Sequence, residues 1–391
     1  MNSFNEEVNR YGTHSVKWDH SEDIYEKAGL LPMWVADMDF RAPEEVISVL
    51  KERVEHGVFG YSMPTDKTKN VIKEWLERRH NWAINTDWIV FTPGVVPAIA
   101  AAINTYTKNG DKVLIQSPVY YPFRDMIEKN NRVVVDNPLV LESDTYKMNF
   151  QDLENKLRDP AVKMFLLCNP HNPVGRVWKE EELKVLANLC VEHNVLIISD
   201  DIHFDLIFKG YRHTLISTLS SDIASNTITC IAPSKTFNLA GMQLSTIIIP
   251  DEKKRVDYQE YMGKMGLFAP NPFGILAVEA AYTHGEQWLE ELLIYLEENL
   301  NYLTSFIKER LPEIRVIKPE GTYLIWLDFR SLQMDHLELE TFIQNNAKLA
   351  LDEGYIFGDG GKGFERINIA CPRSTLQEGL ERLEKAIHEL K

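Results

Sequence analysis

One lysine stands where a lysine is costly. The segment Ala232-Pro233-Ser234-Lys235-Thr236-Phe237-Asn238 directly follows Thr227-Ile228-Thr229-Cys230-Ile231, a β-branched apolar run that reads as a buried strand. An ammonium at the edge of a core is unfavourable unless it is paired, lowered in pKa or used covalently. Lysine also forms Schiff bases with carbonyl compounds, pyridoxal phosphate (PLP) among them. Lys235 is therefore either a reactive centre or an ordinary lysine at a strand end.

Other strand ends supply matching chemistry. The run Val195–Ser199 leads into Asp200-Asp201-Ile202-His203. A carboxylate there needs a cation, and the protonated pyridine nitrogen of PLP is one, although Asp200 read alone fits a helix N-cap or a salt bridge equally well. Met164–Cys168 leads into Asn169-Pro170-His171-Asn172-Pro173-Val174-Gly175. Its two Asn-Pro steps exclude helix, so the Asn172 amide fits either a donor to a phenolic oxygen or part of a rigid turn. Trp88–Phe91 is followed by Thr92-Pro93-Gly94-Val95-Val96, where the free N–H groups of a helix start suit a phosphate. After Lys112–Gln116, Pro118-Val119-Tyr120 offers an aromatic ring, for stacking or for the core.

The elements that must position these residues alternate. Helical spacing from Glu44 (Val46, Ile47, Leu50, Val54), a helix over Val95–Thr107 and a helix carrying Leu183, Leu186, Leu189 and Cys190 separate the apolar strands. This predicts an α/β fold, a large domain with a mostly parallel sheet. After about residue 285 a long helix over Glu286–Arg310 is followed by strands at Ile314–Ile317, Tyr323–Asp328 and Arg366–Ala370. Helices are expected around His336–Leu351 and Thr375–Lys391. The expected division is an arm over 1–43, a large domain over 44–285 and a smaller α+β domain over 286–391.

Composition excludes several functions. A net charge of −16 over 391 residues argues against nucleic-acid and anionic-membrane partners. The polar, acidic N-terminus (Met1 to Glu7) and the lack of a long apolar run point to the cytoplasm. Cys168, Cys190, Cys230 and Cys371 form no C-x-x-C pair, and the eleven histidines show no ligand spacing, so no metal site is expected and the thiols read as buried. Gly358-Asp359-Gly360-Gly361-Lys362-Gly363 lacks the strand and helix of a phosphate loop and reads as a mobile surface loop. Trp288, Leu289, Leu292, Leu293 and Leu296 read as a packing stripe.

Taken together, the strand ends resemble those of the fold-type I PLP enzymes, the aspartate-aminotransferase superfamily. Within it the chain is similar to the cystathionine β-lyase-type C–S lyases of the MalY/PatB group. The marking segments are Lys17-Trp18-Asp19, Leu31 to Phe40, Gly60-Tyr61, Asn169 to Gly175, Ser199 to His203, Ser234 to Asn238, Asn271 to Gly274, Gly321 to Asp328, Arg366-Ile367-Asn368 and Cys371 to Ser374. The resemblance implies a PLP-transferase fold with a seven-stranded sheet. It also implies that Lys235 holds PLP as a Schiff base and that Asp200 pairs with the ring nitrogen. Asn172 and His203 lie near the phenolic oxygen, and Tyr120 stacks on the ring. Tyr61 reaches the site of a neighbouring subunit, hence a homodimer with shared sites. Arg373 clamps the α-carboxylate of an amino-acid substrate, with Asn172 beside it and backbone N–H groups of Val35 and Ala36 assisting.

The chain departs from its relatives in places. Asp201 stands where many have Glu. Ala232 and Gln243 stand where some superfamily members have a phosphate-binding serine and arginine. The phosphate grip then falls to Gly94, Val95, Val96, Ser234 and Tyr61. The activity implied is α,β-elimination from cystathionine or a related S-substituted cysteine, giving a thiol, pyruvate and ammonia, with Lys235, Asp200 and Tyr120 as the catalytic groups. The alternatives are an aminotransferase on the same scaffold and a non-catalytic PLP-binding regulator.

Overall fold

The structure is a computed structural model that describes residues 4–267 and 269–390. Met1–Ser3 of the acidic N-terminus and Lys391, expected to end the last helix, lie outside the described residues. A seven-stranded sheet runs in the order Ile89–Thr92, Ser245–Ile248, Thr227–Ile231, Leu196–Asp200, Val162–Cys168, Lys112–Ile115, Val133–Asp136. The last five are parallel to one another, and Ser245–Ile248 is antiparallel to both its neighbours. Thr227–Ile231 and Leu196–Asp200 are buried throughout, as continuous apolar runs in a sheet covered on both faces should be. The parallel arrangement brings Cys168, Asp200 and Cys230 into register, so the turns that follow them open on the same edge.

A four-stranded antiparallel sheet joins Arg315–Val316, Leu324–Asp328, Phe364–Asn368 and Asp352–Glu353. Helix Glu286–Arg310 buries Trp288, Leu289, Leu292, Leu296, Leu303, Phe306 and Ile307, while Leu293 of the expected packing stripe is only partly buried. All four cysteines are free and buried. No helix among the described residues is long and apolar enough to cross a membrane.

Two local expectations are corrected. The helix expected over His336–Leu351 ends at Asn345, and Leu349–Ala350 becomes a strand paired in parallel with Leu31–Pro32 of the N-terminal segment. Asparagines close the helix readily, and a partner remote in sequence claims the apolar residues beyond it. The Gly358–Gly363 segment is at the surface at Asp359, Gly360 and Lys362, as expected, but it is anchored by its buried glycines. Gly354 and Gly361 are buried, and a Cβ on Gly361 would overlap the Gly354 carbonyl. A Cβ on Gly358 (φ +120°) would lie 2.8 Å from the Ser117 Cβ, so this turn lies against the turn that leads to Tyr120.

Candidate active site

Lys235 sits on a single helical turn, Pro233–Thr236, immediately after its strand. Its Nζ donates to the Ala36 carbonyl at 2.6 Å. The protein removes enough water from the amine to hold its pKa at about 8. It lines a cavity of about 200 Å³ together with Ala36, Gly94, Val95, Val96, Tyr120, Asn172, Asp200, His203 and Ser234. Residues from five strand ends and the N-terminal segment thus meet in one place.

Asp200 is buried at the end of its strand, and its carboxylate accepts from the Ile202 N–H at 3.2 Å. Burial, aided by the neighbouring Asp201 charge, pushes its carboxyl up to about 7. Asp201 is turned to other work: it accepts from His213 Nε2 (2.9 Å) and Asn169 Nδ2 (3.3 Å). His203 is buried with Nδ1 unpartnered, and burial, with Lys235 and Arg366 nearby, lowers its pKa well below the usual value. Burial raises the Tyr120 phenol above its ordinary range. Gly94 precedes helix Val95–Tyr106. Pro97 has no N–H, so Val95 and Val96 carry the free donors of that first turn.

Three expected site residues lie elsewhere in the chain. Tyr61 is 98% exposed in an adjoining groove of about 1020 Å³, which shares Pro93 and Gln243 with the lysine cavity. Val35 is not on the cavity wall, and its carbonyl accepts from Asn368 Nδ2 at 2.7 Å. Arg373 begins the last helix, with its Nε on Asn299 Oδ1 (2.8 Å) and its guanidinium over the Tyr302 ring. It does not line the cavity.

Arg366, on the strand Phe364–Asn368, is not on the cavity wall either, but it bonds directly to a residue that is, Asn172. It donates to Asn172 Oδ1 (2.8 Å), the Trp34 carbonyl (3.1 Å) and the Asp352 carboxylate, while its Nε is buried without a partner. The Asn172 oxygen is thereby used, which leaves Nδ2 as the end of that amide free to donate. Arg366 and Asn368, two apart, share a sheet face, and both bond to the segment from Trp34 to Asp37. The signal for this pair was a pair of polar residues two apart, Arg366 and Asn368, in a strand that is buried throughout. Tyr323 was also absent from the expectations; its hydroxyl donates to the Ala36 carbonyl at 2.9 Å.

The donor set fits pyridoxal phosphate. A buried carboxylate faces the cavity with one backbone N–H for company, an amine of lowered pKa stands near it, and a helix start supplies anion-binding N–H groups.

The fold and this lysine-centred cavity define a class, and comparison with known proteins gives the same one: residues 31–383 match the aminotransferase class I and II family, and the chain belongs to that family. Among its relatives, cystathionine beta-lyase PatB of Bacillus subtilis (strain 168) is 46% identical, over 98% of this chain and 100% of that protein. Protein MalY of Escherichia coli (strain K12) is 36% identical over the full length of both. The crystal structure of cystalysin from Treponema denticola, which contains a pyridoxal 5'-phosphate cofactor, superposes with a TM-score of 0.97 at 41% identity and full coverage of both chains.

Proposed function

We propose that this protein is a PLP-dependent carbon–sulfur lyase that cleaves cystathionine or a related S-substituted cysteine by α,β-elimination. The observation that carries the reading is Lys235, of lowered pKa, sharing one cavity with the buried carboxylate of Asp200. The full-length similarity to a cystathionine β-lyase directs it to this reaction.

Lys235 would hold the cofactor covalently, Asp200 would face its ring nitrogen, Asn172 and His203 its phenolic oxygen, Tyr120 its ring, and Val95, Val96 and Ser234 its phosphate. Bound there, PLP supplies the carbonyl that takes the substrate amine and the ring that accepts the electron pair of the breaking Cα–H bond. Arg366 would take the substrate α-carboxylate, in place of Arg373. With its amine free, Lys235 would remove the Cα proton as general base. The Cβ–S bond then breaks and the thiolate leaves. With a pKa of about 8, protonated Lys235 is a stronger acid than Tyr120, whose phenol is raised above its usual range. Lys235 is therefore the better donor to the departing sulfur. The released aminoacrylate hydrolyses to pyruvate and ammonia.

Incubation with cystathionine in the absence of any keto acid tests the reading. Stoichiometric thiol and pyruvate are expected. Turnover that requires a keto-acid acceptor and yields no thiol would instead identify an aminotransferase.

Loading of the cofactor-free protein is expected to depend on pH. As pH falls through about 7 the Asp200 carboxyl takes up its proton and no longer pairs with a ring cation. As pH falls through about 8 the Lys235 amine becomes charged and loses the lone pair that attacks a carbonyl. PLP affinity should therefore rise about tenfold or more between pH 6 and pH 8. Titrations of the cofactor-free protein that give flat or falling affinity would contradict this assignment.

We further propose a homodimer in which Tyr61 enters the partner's site, since this large aromatic is otherwise left in solvent beside Phe59 and Met63. Tyr61→Phe should weaken PLP retention about tenfold. Mixed dimers of Tyr61→Phe with Lys235→Ala subunits should regain one fully competent site. Activity no higher than in the separate variants would exclude shared sites.

A further inference from the structure

Asp205 lies two residues beyond His203 and is fully buried. The turn from Asp200 to Asp205 is closed by Phe204 N–H on the Asp201 carbonyl (3.0 Å) and Leu206 N–H on the His203 carbonyl (2.9 Å). Its carboxylate accepts from Thr236 Oγ1 at 2.9 Å and Trp75 Nε1 at 3.2 Å, and it pairs with His80 Nε2 at 2.8 Å, with Arg79 Nε at 3.9 Å. Thr236 is the residue next to Lys235. One carboxylate therefore ties the turn carrying Asp200 and His203 to the turn carrying Lys235.

The other neighbours of Lys235 are anchored differently. Phe237 packs against Trp75 (ring centroids 5.6 Å), and Asn238 Nδ2 donates to the Met38 and Phe40 carbonyls. These contacts fix the segment to the core and to the N-terminal segment, whereas the Thr236 bond fixes it to the strand end that bears Asp200. A hydroxyl bonded to a buried carboxylate is charge-assisted and short-range. Its geometry passes directly to the adjacent lysine, and a misplacement of about 1 Å at a reacting group costs about 10²-fold in rate.

We infer that Asp205 is a positioning residue for Lys235, acting through the Thr236 hydroxyl to set the lysine turn relative to Asp200. The inference rests on the PLP-lyase reading of the site. A mere hydrogen-bond partner of His80 and counter-ion of Arg79 would also be buried here, and Thr236→Val separates the two roles. It removes the hydroxyl while leaving the His80, Arg79 and Trp75 contacts of Asp205 in place, and Thr236→Ser keeps the hydroxyl.

The test compares both variants and Asp205→Asn with wild type. The readouts are PLP affinity of the cofactor-free protein, its melting temperature, and kcat and KM for thiol release from cystathionine. Thr236→Val should lower kcat about 10- to 100-fold with KM within about threefold, and weaken PLP binding about tenfold. Thr236→Ser should restore both to within about threefold, and Asp205→Asn should follow Thr236→Val in direction. Thr236→Val with kcat and PLP affinity within about twofold of an active wild type would overturn this inference alone, even where Asp205→Asn fails to fold. So would Thr236→Ser impaired as much as Thr236→Val. A wild-type protein that neither binds PLP nor releases thiol would overturn the lyase reading as well.

Discussion

Lys235→Ala is expected to abolish the visible absorbance of covalently held PLP and to lower pyruvate release from cystathionine by at least about 10³-fold. The lysine is assigned two tasks, general base at Cα and proton donor to the leaving sulfur, and general acid–base steps contribute about 10²–10⁴-fold each. Nothing else in the cavity replaces it. His203 is held neutral by burial, but its Nδ1 has no partner to orient it as a base. Asp200 faces the same cavity, but in the proposed reading its carboxylate is taken up by the ring cation. Folding should be little affected, because loss of Lys235 removes an amine that burial disfavours in its charged form. The measurements are an absorbance spectrum after reconstitution with PLP and a steady-state pyruvate assay. A variant with wild-type spectrum and turnover would end the mechanism.

The second large effect separates Arg366 from Arg373. Arg366→Lys should lower kcat/KM for cystathionine about 100-fold, mainly through KM, whereas Arg373→Ala should change KM by less than about threefold. Arg366 stands beside the cavity with a buried, unpartnered Nε and a bond to Asn172. A lysine there keeps the charge opposite Asp352 but loses the planar fork that holds a carboxylate by two parallel bonds. Lysine is preferred to alanine in this test because alanine would strand the buried Asp352 carboxylate, at a stability cost of about 3–5 kcal/mol. Arg373, by contrast, is held away from the cavity by Asn299 and the Tyr302 ring. Kinetics of both variants over a range of cystathionine concentrations decide the matter, and the opposite pattern would return the clamp to Arg373.

Much of this architecture was legible before any tertiary structure. The strand Thr227–Ile231 and helix Glu286–Arg310 have the bounds that apolar runs and period dictate. The turn after a buried strand is a local property, written in adjacent residues such as Pro233 before Lys235 or Pro93-Gly94 before Val95. Two strands of the large sheet were not anticipated, Val133–Asp136 and Ser245–Ile248. The first is a half-exposed edge. The second begins with Ser-Thr, and its antiparallel direction is set by the strands it joins rather than by its own residues.

What the sequence alone determined is which strand ends carry chemistry: a lysine, a carboxylate, an amide and a helix start, each marked by types that are costly or restricted where they stand. What only the tertiary structure decided is which side chains converge. Arg366 and Arg373 lie seven positions apart in two neighbouring marking segments, and only the pairing of Phe364–Asn368 with Leu324–Asp328 turns the first toward Asn172 and leaves the second on a helix against Tyr302. Asp205 likewise reads as one more acid after His203 until Thr236, Trp75 and His80 are seen to surround it. Local chemistry is encoded in neighbouring residues. Direction and convergence come from packing between segments far apart in the chain, and no spacing records them.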